Sequence, residues 1–572
     1  MKKGVLLSLA MFLIFLTPVA SAQKLDRPNN KFGISLLQPS DDDIKKTAEL
    51  VNSNGGDYGY VTLVIQENDR DRRKWQDLFE KLRENNLIPI IRLATQLEGE
   101  NWRKPEEKDA EEWVNFLDSL NWIIKDRYVV LFNEVNHGQE WGGETNPDEY
   151  AKVADIFAKK LKEKNKDFFV MLAGLDLSAP SSYPNYESAD SFYRSIIDIQ
   201  ISIFNNLDGL VSHSYPNPGF AGSPWDTGRR SIRGYEWELE LLKENGIEKE
   251  LPVFITETGW ENKCQMSNVK CQNGEEERIA SNYKVAYEKI WGMDERVVAV
   301  TPFVFSYQSP PFLGFSWKVP GDGFYSQYNT VKELSKQKGD PEITENGLLE
   351  IPLSIDLVAN SSYRFKIPLK NTGQGFWDKK KGYELQFQNP NKLPFDYFFS
   401  DIVKIKPGED MELSLTVKTQ KPAAQFNTKV VLVKKGKTII QTKEMNIIID
   451  PLPSLNFKAS LFPKLKSTGE DFELQLFDSD ETLVFKKKGI WVRDGNGIVD
   501  QVQNIALGKK YRIVLLKPYY LPRQTFIIFK KGQNEFMFKK MYPLDFSKDG
   551  KLDWGDVGEL LKKPALLFNL IP

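Results

Sequence analysis

The stretch Tyr128–Gly138, YVVLFNEVNHG, decides the fold of this chain. Tyr128 to Leu131 begin an apolar run that stops abruptly at Asn133-Glu134. A continuous apolar run of this kind suits a central parallel strand covered on both faces. An unpartnered carboxylate inside such a strand would cost on the order of several kcal/mol, so Glu134 belongs where the strand opens into a cleft. In a barrel of parallel strands that place is the C-terminal rim. Leu251–Trp260, LPVFITETGW, has the same grammar and delivers Glu257 after a second apolar run.

Working outward, further candidate strands begin near Lys31, Tyr58, Ile88, Phe168, Asp208 and Val297, giving eight with the two above. Amphipathic helical patterns alternate with them, among them 41–51, 109–123, 147–164 and 275–291. Acidic residues open several of these, as at Asp41-Asp42-Asp43, where the helix dipole favours them. Eight strand–helix units over roughly 310 residues predict an α/β domain of the (β/α)8 TIM-barrel type. The alternative, a doubly wound open sheet, lacks its glycine-rich phosphate loop after the first strand.

The 572 residues exceed one ordinary core and call for several domains. Residues 1–22 read as a signal peptide: Lys2 and Lys3, the apolar Val5–Leu16, then Ala20-Ser21-Ala22. That apolar segment falls short of the ~20 residues a bilayer span needs, so a secreted, extracellular or cell-surface protein is expected. An uncleaved anchor is the alternative. The barrel is assigned to 23–341. Beyond it, alternating strands without helices predict two all-β sandwich domains, 342–450 of immunoglobulin-like type and 451–541. Cys264 and Cys271, close together in an exported chain, read as a loop-stapling disulfide.

Basic and acidic residues number 77 and 79, which gives no reason to propose nucleic acid as partner. No later segment is long and apolar enough for a transmembrane span. Near the C-terminus, Asp545–Asp556 reads DFSKDGKLDWGD. Asp545, Ser547, Asp549, Asp553 and Asp556 fall at calcium-loop positions 1, 3, 5, 9 and 12, with Lys551 at the backbone-carbonyl position 7 and Gly550 at the sharp sixth. A structural calcium is expected there, against the plain reading of a solvated acidic turn.

The barrel rim collects a polar ring. Residues two apart share a strand face, which pairs His213 with Tyr215, and on the third strand Arg92 follows the run Ile88-Pro89-Ile90-Ile91. Asn133, Glu134 and Glu257 complete it. Two carboxylates at two strand ends are the minimum equipment for glycosidic-bond cleavage. A cation near Glu257, with Arg92 the candidate, would keep it ionised.

Asn-Glu ending the fourth strand and Glu in Thr256-Glu257-Thr258-Gly259-Trp260 ending the seventh resemble the signature of clan A glycoside hydrolases, the retaining "4/7" barrels. The resemblance covers residues about 30–320 and implies catalysis without a cofactor. It makes Glu134 the acid/base, Glu257 the nucleophile, Asn133 a ligand of the sugar 2-hydroxyl, Tyr215 a partner of the nucleophile, and His213 and Arg92 their supporting network. Arg92 reads equally as a structural ion-pair member. Trp260 and Trp317 are either sugar platforms or loop packing. The usual Trp at the end of the eighth strand is replaced by Phe305-Ser306-Tyr307-Gln308. Residues 451–541 loosely resemble transthyretin-like, carboxypeptidase-regulatory modules. The calcium loop with its following helix, in 542–572, is a short EF-hand/dockerin-like motif that resembles one half of a dockerin, which implies a cell-surface or cohesin-like partner. The expectation is a secreted retaining glycosidase of β-linked oligo- or polysaccharides. The alternatives are an inactive carbohydrate-binding scaffold and a transglycosylase using the same pair.

Overall fold

A computed structural model describes residues 29–263, 274–463 and 469–570. The expected signal peptide and the expected Cys264–Cys271 disulfide lie outside the described residues. The chain divides into two compact units, 1–344 and 345–572.

The first unit is built on eight strands: β1 (Gly33–Leu36), β2 (Gly59–Gln66), β3 (Leu87–Ala94), β4 (Arg127–Leu131), β5 (Phe168–Leu172), β6 (Leu210–His213), β7 (Val253–Glu257) and β8 (Val297–Val300). β1 to β5 pair in parallel in chain order, as do β6 to β8. Parallel bridges between Phe32 and Val300 and between Asp176 and His213 close the ring. Helices α1 (Asp41–Val51), α2 (Arg72–Glu84), α3 (Asp109–Asp118), α4 (Pro147–Lys164), α5 (Ala189–Gln200), α6 (Gly234–Glu244), α7 (Glu275–Val285) and α8 (Ser326–Glu333) alternate with the strands.

Burial on both faces explains why the strands read as unbroken apolar runs. Their inward residues fill the ring. Tyr128 packs at 5.0 Å against both Phe169 and Phe254, and Tyr60 closes the same layer. This layer forms a solid floor beneath the polar rim.

α1 starts on a capping box, Ser40 and Asp43 each accepting from the other's backbone N–H. Two helices differ from the sequence pattern. α3 stops at Asp118, because Ser119 turns its hydroxyl onto the Phe116 carbonyl and the Trp122 indole onto that of Leu117. α7 continues into a widened π-type turn over Ala286–Trp291, which stacks Tyr287 on Phe32 at 4.3 Å.

In the second unit, residues 347–450 form short sheets, antiparallel except for the parallel pairing of 354–358 with 445–450, around a core containing Trp377, Phe387, Leu415 and Ile447. Residues 454–545 do not form two separate sheets. They hydrogen-bond into one eight-stranded ladder around Phe457, Leu474, Ile513 and Phe529. Register shifts between Gly469–Phe477 and Leu483–Arg493 supply the bends such a ladder needs. The acidic loop is entered from a strand, Pro543–Asp545, and left by helix α9 (Trp554–Lys562). No helix among the described residues is long and apolar enough to cross a membrane.

Candidate active site

Two local departures from regular strand geometry aim the carboxylates. β4 ends at Leu131, and Phe132 adopts φ 75°, a left-handed conformation costly for a bulky residue. The turn sends the Phe132 ring outward onto Trp141 and the α4 residue Phe157. Asn133 and Glu134 (φ 31°) then point into the cleft instead of following the strand alternation. The Tyr150 hydroxyl on α4 ties the departing ends together, donating to the Leu131 carbonyl and accepting from the Ala173 N–H.

On β7 the register against β6 slips between the Ser212–Ile255 and His213–Glu257 pairs, passing over Thr256. This bulge turns Glu257 toward the interior beside His213. Gly174 completes the fit, since a Cβ there would stand 2.3 Å from the His213 ring. No larger residue leaves the imidazole its place.

The six residues Arg92, Asn133, Glu134, His213, Tyr215 and Glu257 converge. One Arg92 Nη1 donates to Glu257 Oε1 at 2.6 Å and to Asn133 Oδ1 at 2.5 Å. The Tyr215 hydroxyl donates to Glu257 Oε2 at 3.1 Å, its ring held between Phe220 and Phe315. His213 Nδ1 lies 2.9 Å from Glu134 Oε1 and 3.9 Å from Glu257 Oε2. Carboxylate oxygens of Glu134 and Glu257 and a His213 ring nitrogen all lie within 4.8 Å of one another. Such a trio has the makings of a metal grip, but the Arg92 guanidinium already supplies the cation for Glu257.

Burial pushes the Glu257 carboxyl up, yet His213, Arg92 and Tyr215 outweigh it and hold it below the usual carboxylate value. Burial works against the charged form of His213, and Glu257 and Glu134 more than offset that, so its pKa is raised. Burial beside Glu257 also raises Tyr215 well above its ordinary value, keeping it a neutral donor.

Arg92→Met therefore has a signed outcome. Glu257 is ionised above its pKa and becomes protonated as pH falls through it. Without the guanidinium that pKa rises, and protonation moves to higher pH. An NMR titration of the Glu257 carboxyl in wild type and variant checks this.

Trp260 and Trp317 are not platforms. They are 2% and 1% exposed, packed on either side of Tyr283, and the Trp260 indole donates to the Gly222 carbonyl. Both serve as loop packing. The exposed aromatic faces on the strand–helix loops of this rim belong to Tyr183, Tyr186, Trp225 and Phe312.

Three further groups escape a reading of strands. His137 Nε2 lies 2.9 Å from Asp176 Oδ2, and its Nδ1 lies 4.0 Å from Glu134 Oε2. Asp176 comes from the loop after β5, pinned to the β4 loop by two hydrogen bonds with Asn136. Glu140, hydrogen-bonded to Asn133, is pushed up to about 7 by burial and by Glu134 and Glu257, against the opposing effect of Arg92. Nothing periodic marks these loop positions in the sequence.

No family model matches the chain, and no curated protein matches it. Solved structures similar to it include a monomeric beta-xylosidase from Caulobacter crescentus CB15, at 10% identity over 86% of this chain and 98% of that one (TM-score 0.39). The endo-beta-1,4-glucanase from Xanthomonas axonopodis pv. citri is similar at 13% over 53% and 98% (TM-score 0.36). A beta-mannanase from Thermomonospora fusca is similar at 13% over 53% and 87% (TM-score 0.34). These superpositions are loose, and the functional reading stands on the geometry of the rim.

Proposed function

We propose that the chain is a secreted retaining glycoside hydrolase of β-linked oligo- or polysaccharides, with Glu257 as nucleophile and Glu134 as acid/base. The observation that carries this is the separation of the two carboxylates, whose oxygens approach within 4.8 Å. A retaining enzyme needs its carboxyl groups about 5–5.5 Å apart, whereas an inverting enzyme leaves about 6.5–9.5 Å for a water. Asymmetry supports the assignment of roles. Glu257 is matched by a guanidinium at 2.6 Å and a phenol at 3.1 Å, which favour the anion. Glu134 is met, among the described residues, by the imidazoles of His213 and His137.

In the first step Glu257 attacks the anomeric carbon, the glycosidic bond breaks, and the Glu134 proton passes to the departing oxygen. In the second, Glu134 takes a proton from water, which displaces Glu257. Asn133, fixed by Arg92, presents its amide toward the sugar 2-hydroxyl. The test is NMR of the first anomer released from a β-linked oligosaccharide panel. Release of the β-anomer is expected, and α-anomer release would overturn the reading. With an added sugar acceptor, the same spectra separate hydrolysis from transglycosylation.

The C-terminal loop is proposed to hold a structural calcium through Asp545, Ser547, Asp549, Asp553, Asp556 and the Lys551 carbonyl. Asp545 is 4% exposed, and its Oδ1 is buried without a hydrogen-bond partner among the described residues. Burial together with Asp556 and Asp549 raises the Asp545 pKa, a repulsion that a bound cation relieves. Asp556 already accepts from the Ser547 and Asp553 N–H groups, closing the loop. Calcium added to chelated protein at a hundredfold excess over Kd should stabilise this region by about 2.7 kcal/mol. Calorimetry with and without calcium checks it, and Asp545→Ala should abolish the difference.

A further inference from the structure

The acid/base has a neighbour that the roles above leave idle. One oxygen of Glu134 is taken by His213 at 2.9 Å, so the acid proton belongs on Oε2. Oε2 faces His137 Nδ1 at 4.0 Å, beyond hydrogen-bond reach but well within electrostatic range. His137 is held from behind: its Nε2 meets Asp176 at 2.9 Å, and the Tyr186 ring stands edge-on to it at 4.9 Å. Asp176 is itself fixed, accepting from the Ser178 N–H at 2.8 Å.

We propose that His137, clamped by Asp176, is a positioning residue that stabilises the Glu134 carboxylate as it gives its proton to the leaving group. This deepens the glycosidase reading and rests on it. In the step concerned, Glu257 bonds to the anomeric carbon and the glycosidic C–O bond breaks. Its electron pair goes to the leaving oxygen, which receives the Glu134 proton. Negative charge thus appears on Glu134 during bond breaking, 4.0 Å from the imidazole. His137 keeps its own proton throughout. The charged groups facing it are Glu134 and Glu140 from its own loop and Asp176 from the loop after β5. Burial disfavours its cation, but Asp176 and Glu134 outweigh burial and raise its pKa, favouring the form the role requires.

The role predicts a dependence on leaving group that a purely structural residue would not show. A 2,4-dinitrophenyl group departs as a stable anion and needs no proton, whereas a phenyl group needs one. Both aryl β-glycosides of glucose, mannose, galactose and xylose, and of their β-1,4-disaccharides, are the probes. For His137→Gln, kcat/KM on the phenyl substrates should fall about 10- to 100-fold, with less than about threefold change on the dinitrophenyl ones. Asp176→Asn should reproduce the selective loss and keeps the test valid if His137→Gln fails to fold. An equal loss on both substrate classes, or no loss on either, overturns the role and leaves the glycosidase reading intact. A wild-type protein inert toward every probe overturns the glycosidase reading and this role with it.

Discussion

Glu257→Gln should abolish turnover, lowering kcat by about four to six orders of magnitude whatever the leaving group. The amide has the shape of the carboxylate but no anion with which to attack. Its surroundings make the loss severe, because Arg92 at 2.6 Å and Tyr215 at 3.1 Å are arranged around a negative charge. An amide also turns an N–H₂ toward one of two donors, leaving a buried clash in place of a hydrogen bond. Substrate affinity should survive, since neither partner moves far. Isothermal titration with an oligosaccharide should therefore show binding without turnover. A variant retaining more than about a hundredth of wild-type rate would remove Glu257 from the nucleophile's role.

Glu134→Gln should behave differently, and the contrast matters more than either loss alone. Hydrolysis of natural glycosides should fall by about 10²–10⁴-fold, the usual contribution of a positioned acid. With a 2,4-dinitrophenyl glycoside, however, the first step proceeds unaided and the covalent intermediate accumulates. A burst of dinitrophenolate followed by slow turnover is expected, and azide should speed the slow phase because it attacks without a base. Stopped-flow absorbance checks both. A uniform loss without a burst would mean that Glu134 supports the fold or the substrate rather than proton transfer.

How much of this was legible in the chain follows from physics. All eight strands show in the sequence because parallel strands buried on both faces must be apolar throughout, and a polar residue ending the run has few places to go. Arg92 shows as the charged residue that directly follows the apolar run Ile88–Ile91 on a regular strand. The aim of Glu134 and Glu257 does not follow from parity. A left-handed Phe132 and a bulge at Thr256 reset both faces, and neither has a distinctive sequence signal. His137, Asp176 and Glu140 sit on loops, where contacts form between segments with no period to betray them. Trp260 and Trp317 illustrate the converse. A loop tryptophan reads the same whether its ring meets a sugar or, as here, Tyr283. In the second unit, alternation marks strands but not which edges join, so one continuous ladder and two facing sheets look alike.

The central claim is that Glu257 forms a covalent bond to a sugar. Intact-mass analysis after exposure to a panel of 2-fluoro glycosides with activated leaving groups tests it most directly. The predicted result is a single added fluoroglycosyl mass on the wild-type protein, mapped to Glu257 by peptide sequencing and absent from Glu257→Gln. The sugar that reacts would also name the glycone. An adduct on another residue, or a wild type that turns over the parent glycosides yet never carries the label, would contradict the account.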